Sequence, residues 1–151
     1  MSRVKLIQED NNHPEIRSVF DEIIERAGKV PAAYRAFAIH PHILQANWNR
    51  TKNILGQGNL SIQLKEAIAL RVSTENGCHF CVQIHRQNLE KLGESMDRIS
   101  EIESNRSSDP KLNLVLNFVS TATSNPASIT DNDFKKLKEY EYSEADIVEM
   151  L

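Results

Sequence analysis

Apolar residues recur three and four positions apart along almost the whole chain, and the strict alternation of a half-buried strand is nearly absent. That periodicity predicts an all-α fold. Glycine and proline number only 5 each, so the few that occur read as boundaries between long helices. Pro14 suits a first helical turn, Ile16, Val19, Phe20, Ile23 and Ala27 form one stripe, and Gly28 is placed as a C-terminal cap. A short helix is expected over 32–39. Pro41 then opens a longer one through Leu44, Trp48 and Leu55 to a Gly56-Gln57-Gly58-Asn59 loop. Ser61 is a candidate N-cap for a helix reaching Glu75, closed by Asn76-Gly77. A further helix starts at or beside Cys78 and runs to about Leu92. A short helix or irregular connection follows over 94–108, then a helix from Asp109-Pro110 to Asn125-Pro126. Thr130 with Asp133 and Ser143 with Asp146 have the spacing of capping boxes before two last helices.

The length of 151 residues suits one domain spanning the chain, with roughly 70% of the unfolded surface buried. Lys+Arg 18 against Asp+Glu 21 gives a formal charge of -3, which leaves no cationic excess to track a phosphate backbone, so no nucleic-acid partner is expected. With 40% hydrophobic and 26% charged residues, the chain matches neither a disordered tail nor a membrane protein. The stretch 1–11 carries Arg3, Lys5, Glu9 and Asp10 and lacks the apolar core of an export leader, so the expected location is the cytoplasm, with no membrane association. The only two cysteines, Cys78 and Cys81, sit three apart. In a reducing compartment such a pair points to redox chemistry or a metal rather than a disulfide scaffold.

The chemistry-bearing constellation is Cys78-His79-Phe80-Cys81 followed by His85. At about 100° per residue, Cys81 and His85 fall about 60° and 20° from Cys78, on one narrow helix face. A helix N-terminus offers unpaired N–H groups and partial positive charge, which favour thiolate over thiol. If Asn76-Gly77 turns an αα-hairpin, Glu66 and His85 lie at comparable distances from the turn, roughly 15 Å and 12 Å, and can meet. Glu66 has Ile62, Ala69 and Leu70 as helical neighbours, so a partner is needed if that face is inward. A Glu–His–Cys chain orients an imidazole to take a cysteine proton.

Glu66, eleven intervening residues, Cys78, two residues, Cys81, three residues and His85 resembles the signature of the AhpD-like alkylhydroperoxidases within the carboxymuconolactone decarboxylase superfamily. The segments 29–48 and 109–147 also resemble peroxidase-related members. The resemblance implies a cofactor-independent helical enzyme, a homo-oligomer (trimer or hexamer), that reduces hydroperoxides in antioxidant defence. It further implies Cys81 as the peroxidatic thiol, Cys78 as the resolving thiol, His85 as base, Glu66 as relay, and a lipoylated or thioredoxin-like dithiol protein as reductant. Two features depart from the family pattern. Phe80 stands where well-characterised members have a second histidine, with His79 beside it, and the chain ends at Leu151 inside a helix that members usually extend. The expectation is that the chain is short there or that a neighbouring subunit covers the exposed core.

Rival readings are a dithiol–disulfide exchange or redox-sensing protein without efficient peroxidase turnover, two buried thiols acting as small hydrophobes, and a zinc site on Cys78, Cys81 and His85 short of a fourth ligand. Muconolactone decarboxylation is disfavoured, since that branch does not depend on a Cys-x-x-Cys pair. Arg71 and Arg86 flank the motif, either as charges that favour thiolate or as solvated surface groups.

Overall fold

The computed structural model describes residues 3–151; Met1 and Ser2, where the expectation of no export leader begins, lie outside them. Among the described residues there are nine α-helices, one 3-10 turn and no strand, so the all-α expectation holds. No helix among them is long and apolar enough to cross a membrane. The chain divides into two compact units, residues 1–57 and 58–151.

The first unit holds α1 (Pro14–Ala27), α2 (Ala32–Phe37) and α3 (Pro41–Gly56). Pro14 occupies the first turn of α1, and Gly28 ends the helix at φ 75, a left-handed conformation, donating its N–H to the Ile24 carbonyl at 2.7 Å. Ile16, Val19, Phe20 and Ile23 form its buried stripe against Val30, Ala38, Leu44 and Trp48. A buried indole needs an acceptor, and Trp48 Nε1 donates to Glu22 Oε2 at 2.8 Å. Lys52 Nζ meets the same oxygen at 2.6 Å; these two hydrogen bonds, Lys52's first, hold the Glu22 carboxyl below its usual range. The helix expected over 32–39 ends at Phe37. His40 precedes Pro41, whose ring disfavours helical backbone at the residue before it, and His40 is extended at φ -122, ψ 104.

The second unit holds α4 (Ile62–Glu75), α5 (His79–Lys91), α6 (Met96–Glu103), α7 (Pro110–Ser124), a 3-10 turn at Pro126–Ser128, α8 (Asp131–Glu139) and α9 (Glu144–Met150). Ser61 caps α4 by accepting from Leu64 N–H at 3.2 Å, and Asp109 caps α7 by accepting from Lys111 N–H at 2.9 Å. Ser143 and Asp146 complete a capping box on α9: the Asp146 N–H donates to Ser143 Oγ, and Ser143 N–H donates to Asp146 Oδ2 at 2.7 Å.

Helix α4 is the hub, packed against α5, α6 and α7. Ala67 and Leu70 join Leu89, Ile99, Ile102, Leu112 and Leu116 in one core cluster. Ile68 joins Val115, Phe118, Val119, Leu137, Tyr142, Ile147 and Met150 in another. Being surrounded, α4 also buries Lys65, Glu66 and Arg71, and buried charges persist only when paired or hydrogen-bonded. Lys65 pairs with Glu149 of α9 at 2.5 Å, and Glu149 also accepts the N–H groups of Asn59 at 2.8 Å and Leu60 at 3.3 Å, which fixes the entry to α4. Burial alone would raise the Glu149 carboxyl, but those three donors outweigh it and hold it below its usual range. At the other end, Gly77 adopts φ 64 and the Cys78 N–H donates to the Ser73 carbonyl at 2.9 Å, folding α5 back along α4.

Candidate active site

Cys78 is the N-cap of α5, so the two cysteines bracket the first turn of that helix. The Cys81 N–H donates to Cys78 Sγ at 3.4 Å, the contact by which a helix start stabilises sulfur-borne negative charge once the thiols are reduced. Here the two sulfurs are joined as a disulfide with Cα atoms 5.4 Å apart. Both cysteines are half-buried, whereas His79 is exposed and Phe80 is 59% exposed.

One turn beyond Cys81, His85 Nδ1 lies 2.7 Å from Glu66 Oε2. The hairpin register thus brings together two residues nineteen apart in sequence. Glu66 is only 5% exposed, and its other oxygen is held too: Asn88 Nδ2 donates to Oε1 at 3.2 Å. Both carboxylate oxygens therefore have a partner on α5. A carboxylate accepts from a ring N–H, which puts the neutral imidazole proton on Nδ1 and leaves Nε2 with the lone pair able to take a proton.

Asn88 was not among the residues singled out in the sequence. Its spacing of three from His85 places it on the same helical face, and that was the available signal. The two arginines flanking the motif are already engaged. Arg86 grips both carboxylate oxygens of Glu103 at 2.8 Å and 2.7 Å. Arg71 of α4 donates to Glu75 and to the Glu103 backbone carbonyl at the end of α6. These contacts tie α4, α5 and α6 together beneath the hairpin. Among the described residues no group of three His, Cys, Asp or Glu side chains is arranged to hold a metal ion. A cleft of about 210 Å³ in the second unit is bounded by Leu64, Ala67, Leu89, Arg98, Lys111 and Tyr142, and none of Glu66, Cys78, Cys81 or His85 lines it.

Fold and site together define a helical protein with a dithiol at a helix start and a buried Glu–His pair one turn further on. Residues 41–123 match the carboxymuconolactone decarboxylase family model, and the chain belongs to that family. An uncharacterized peroxidase-related protein from Ralstonia eutropha JMP134, described as an alkylhydroperoxidase AhpD core, superposes with a TM-score of 0.87 at 21% identity, over 99% of this chain and 80% of that one. A peroxidase-related protein from Silicibacter sp. TM1040 gives 0.83 at 22% identity, over 99% and 84%. The debrominase Bmp8 gives 0.82 at 21% identity, over 99% and 81%. In sequence, the chain is 40% identical over 43 residues to the uncharacterized protein YdfG of Bacillus subtilis (strain 168), a match spanning 28% of this chain and 29% of that relative. At these structural identities the likeness establishes the fold, and proteins named for different reactions share it.

Proposed function

We propose that the protein is a cytoplasmic, cofactor-independent thiol peroxidase that reduces hydroperoxides in antioxidant defence, with Cys81, Cys78, His85 and Glu66 as its site residues. The observation that carries this reading is the 2.7 Å contact between His85 and the buried Glu66, one helical turn from the dithiol. Glu66 holds the Nδ1 proton, so His85 Nε2 takes the proton of the Cys81 thiol. The Cys81 thiolate attacks the terminal peroxide oxygen. The O–O bond breaks, Cys81 becomes a sulfenic acid, and the alkoxide leaves as ROH with the proton returned by His85. The Cys78 thiol then gives up its proton and attacks the Cys81 sulfur, the sulfur–oxygen bond breaks, and the leaving hydroxide takes that proton to depart as water with formation of the disulfide. A dithiol protein, lipoylated or thioredoxin-like, reduces that disulfide through a mixed disulfide and is itself oxidised. The balance is ROOH plus one external dithiol giving ROH, water and one external disulfide. A homo-oligomeric assembly, trimer or hexamer, belongs to the same reading and is tested by light scattering.

A second reading, dithiol–disulfide exchange or redox sensing without peroxidase turnover, draws on the exposed Phe80 and His79 beside half-buried sulfurs, a rim accessible to another protein. One experiment separates the two. The reduced protein is treated with one equivalent of hydrogen peroxide, weighed by intact mass spectrometry, and assayed for continuous turnover with dihydrolipoamide or a thioredoxin as donor. A loss of two hydrogens with turnover supports the peroxidase, the same loss without turnover supports exchange or sensing, and unoxidised cysteines refute both.

A further inference from the structure

We propose that Asn88 is a positioning residue for the candidate site, acting through Glu66 to hold the His85 imidazole in line for Cys81. The inference deepens the peroxidase reading and rests on its assignment of Glu66 and His85.

A carboxylate held by one hydrogen bond retains rotation about its terminal side-chain torsion, which is broad and roughly two-fold. Two donors, one on each oxygen, remove that freedom. His85 and Asn88 supply them from adjacent turns of α5, at 2.7 Å to Oε2 and 3.2 Å to Oε1. Both donors come from one helix, so the carboxylate plane is set by α5 itself and follows any small shift between α4 and α5. Burial sharpens the requirement. Glu66 is 5% exposed, so water is a poor substitute for a missing donor, and an oxygen left without one carries the desolvation penalty of a charged group. A carboxylate in that state turns toward whatever donor remains and drags the imidazole from its working orientation. Asn88 meets the needs of this position: a neutral amide supplies the N–H without adding a charge that competes with the imidazolium formed at His85.

The test is a double-mutant cycle on the rate at which Cys81 is oxidised by hydrogen peroxide, with Asn88→Leu, Glu66→Gln and the pair. Asn88→Leu keeps the volume and removes the donor, and is expected to slow the reaction about tenfold, equivalent to about 1.4 kcal/mol. In the Glu66→Gln background the same change is expected to alter the rate less than about twofold, because the anion through which Asn88 acts is gone. Asn88→Gln, which restores an amide donor, is expected to recover part of the loss, and Asn88→Ala, which also lacks a side-chain donor, replaces the leucine variant if that one fails to fold. Independent, additive effects of the two substitutions, or a rate unaffected by loss of Asn88, would overturn the assignment. The same four proteins are also alkylated with iodoacetamide and the label on Cys81 quantified by peptide mass mapping. A non-additive pattern there without any peroxide consumption by the wild type would retain the positioning role and refute the peroxidase. Peroxide turnover with additive effects would do the reverse.

Discussion

Glu66→Gln is the perturbation that bears most directly on the Glu–His pair. The amide has nearly the shape of the carboxylate it replaces, so the 2.7 Å contact to His85 can survive with the amide oxygen as acceptor, while the 3.2 Å contact from Asn88 loses the anion it serves. What does not survive is the negative charge that, in the proposed relay, steadies the imidazolium formed when His85 takes the thiol proton. Hydrogen bonds to charged groups contribute about 1.5–3 kcal/mol, against about 0.5–1.5 kcal/mol for neutral pairs. The difference of about 1–2 kcal/mol, at about 1.4 kcal/mol per factor of ten, predicts a slowing of about 5- to 30-fold. If the glutamine instead offers its NH2 to Nδ1, the imidazole proton moves to Nε2 and the base is lost, extending the effect toward the hundredfold or more that general-base catalysis supplies. Stability responds less, because a neutral amide is cheaper to bury at 5% exposure than a carboxylate. The assay is stopped-flow loss of free thiol under excess hydrogen peroxide, beside a thermal melt. A rate within twofold of wild type, with the fold intact, would refute the relay.

Other consequences are structural. Leu89 is fully buried between α4, α6 and α7 residues, so Leu89→Ala is expected to cost about 2–5 kcal/mol in urea unfolding, and a loss below 1 kcal/mol would contradict that packing. Glu149 has its carboxyl held below the usual range, so its contribution to stability is present above the unfolded value of about 4.3 and is lost as pH falls through the folded one. Unfolding free energy of the wild type should therefore drop on acidification below about pH 4.3, and Glu149→Gln should flatten that drop while lowering stability at neutral pH. Equal acid slopes in the two proteins would contradict a stabilising role for the Glu149 contacts to Lys65, Asn59 and Leu60.

Much of the helix pattern is legible because its signals are local. Pro14 and Gly28 bound α1, Asp109-Pro110 opens α7, and Cys78 begins α5, each through a backbone preference acting within a turn. The shortfall at α2 shows local signals competing: apolar spacing extends to Ile39, but the proline at position 41 unwinds the chain before it. The meeting of Glu66 with His85 is legible as well, since a two-residue turn fixes the register of a helix hairpin. Contacts between helices far apart in sequence are not. The hold of Glu149 on Asn59 and Leu60, and the Arg71–Glu103–Arg86 tie, depend on how α6 and α9 return to the hub, which no spacing within one helix encodes. Asn88 falls between the two cases, on the right face but without a residue type that announces chemistry.

The division of labour between the two thiols tests the central claim most directly. Reduced Cys78→Ser and Cys81→Ser proteins are exposed to hydrogen peroxide in the presence of dimedone, and the adduct is located by peptide mass mapping. The account predicts a sulfenic acid trapped at Cys81 in Cys78→Ser and no peroxide consumption by Cys81→Ser. A dimedone adduct on Cys78 with Cys81 unmodified would contradict it and exchange the two roles.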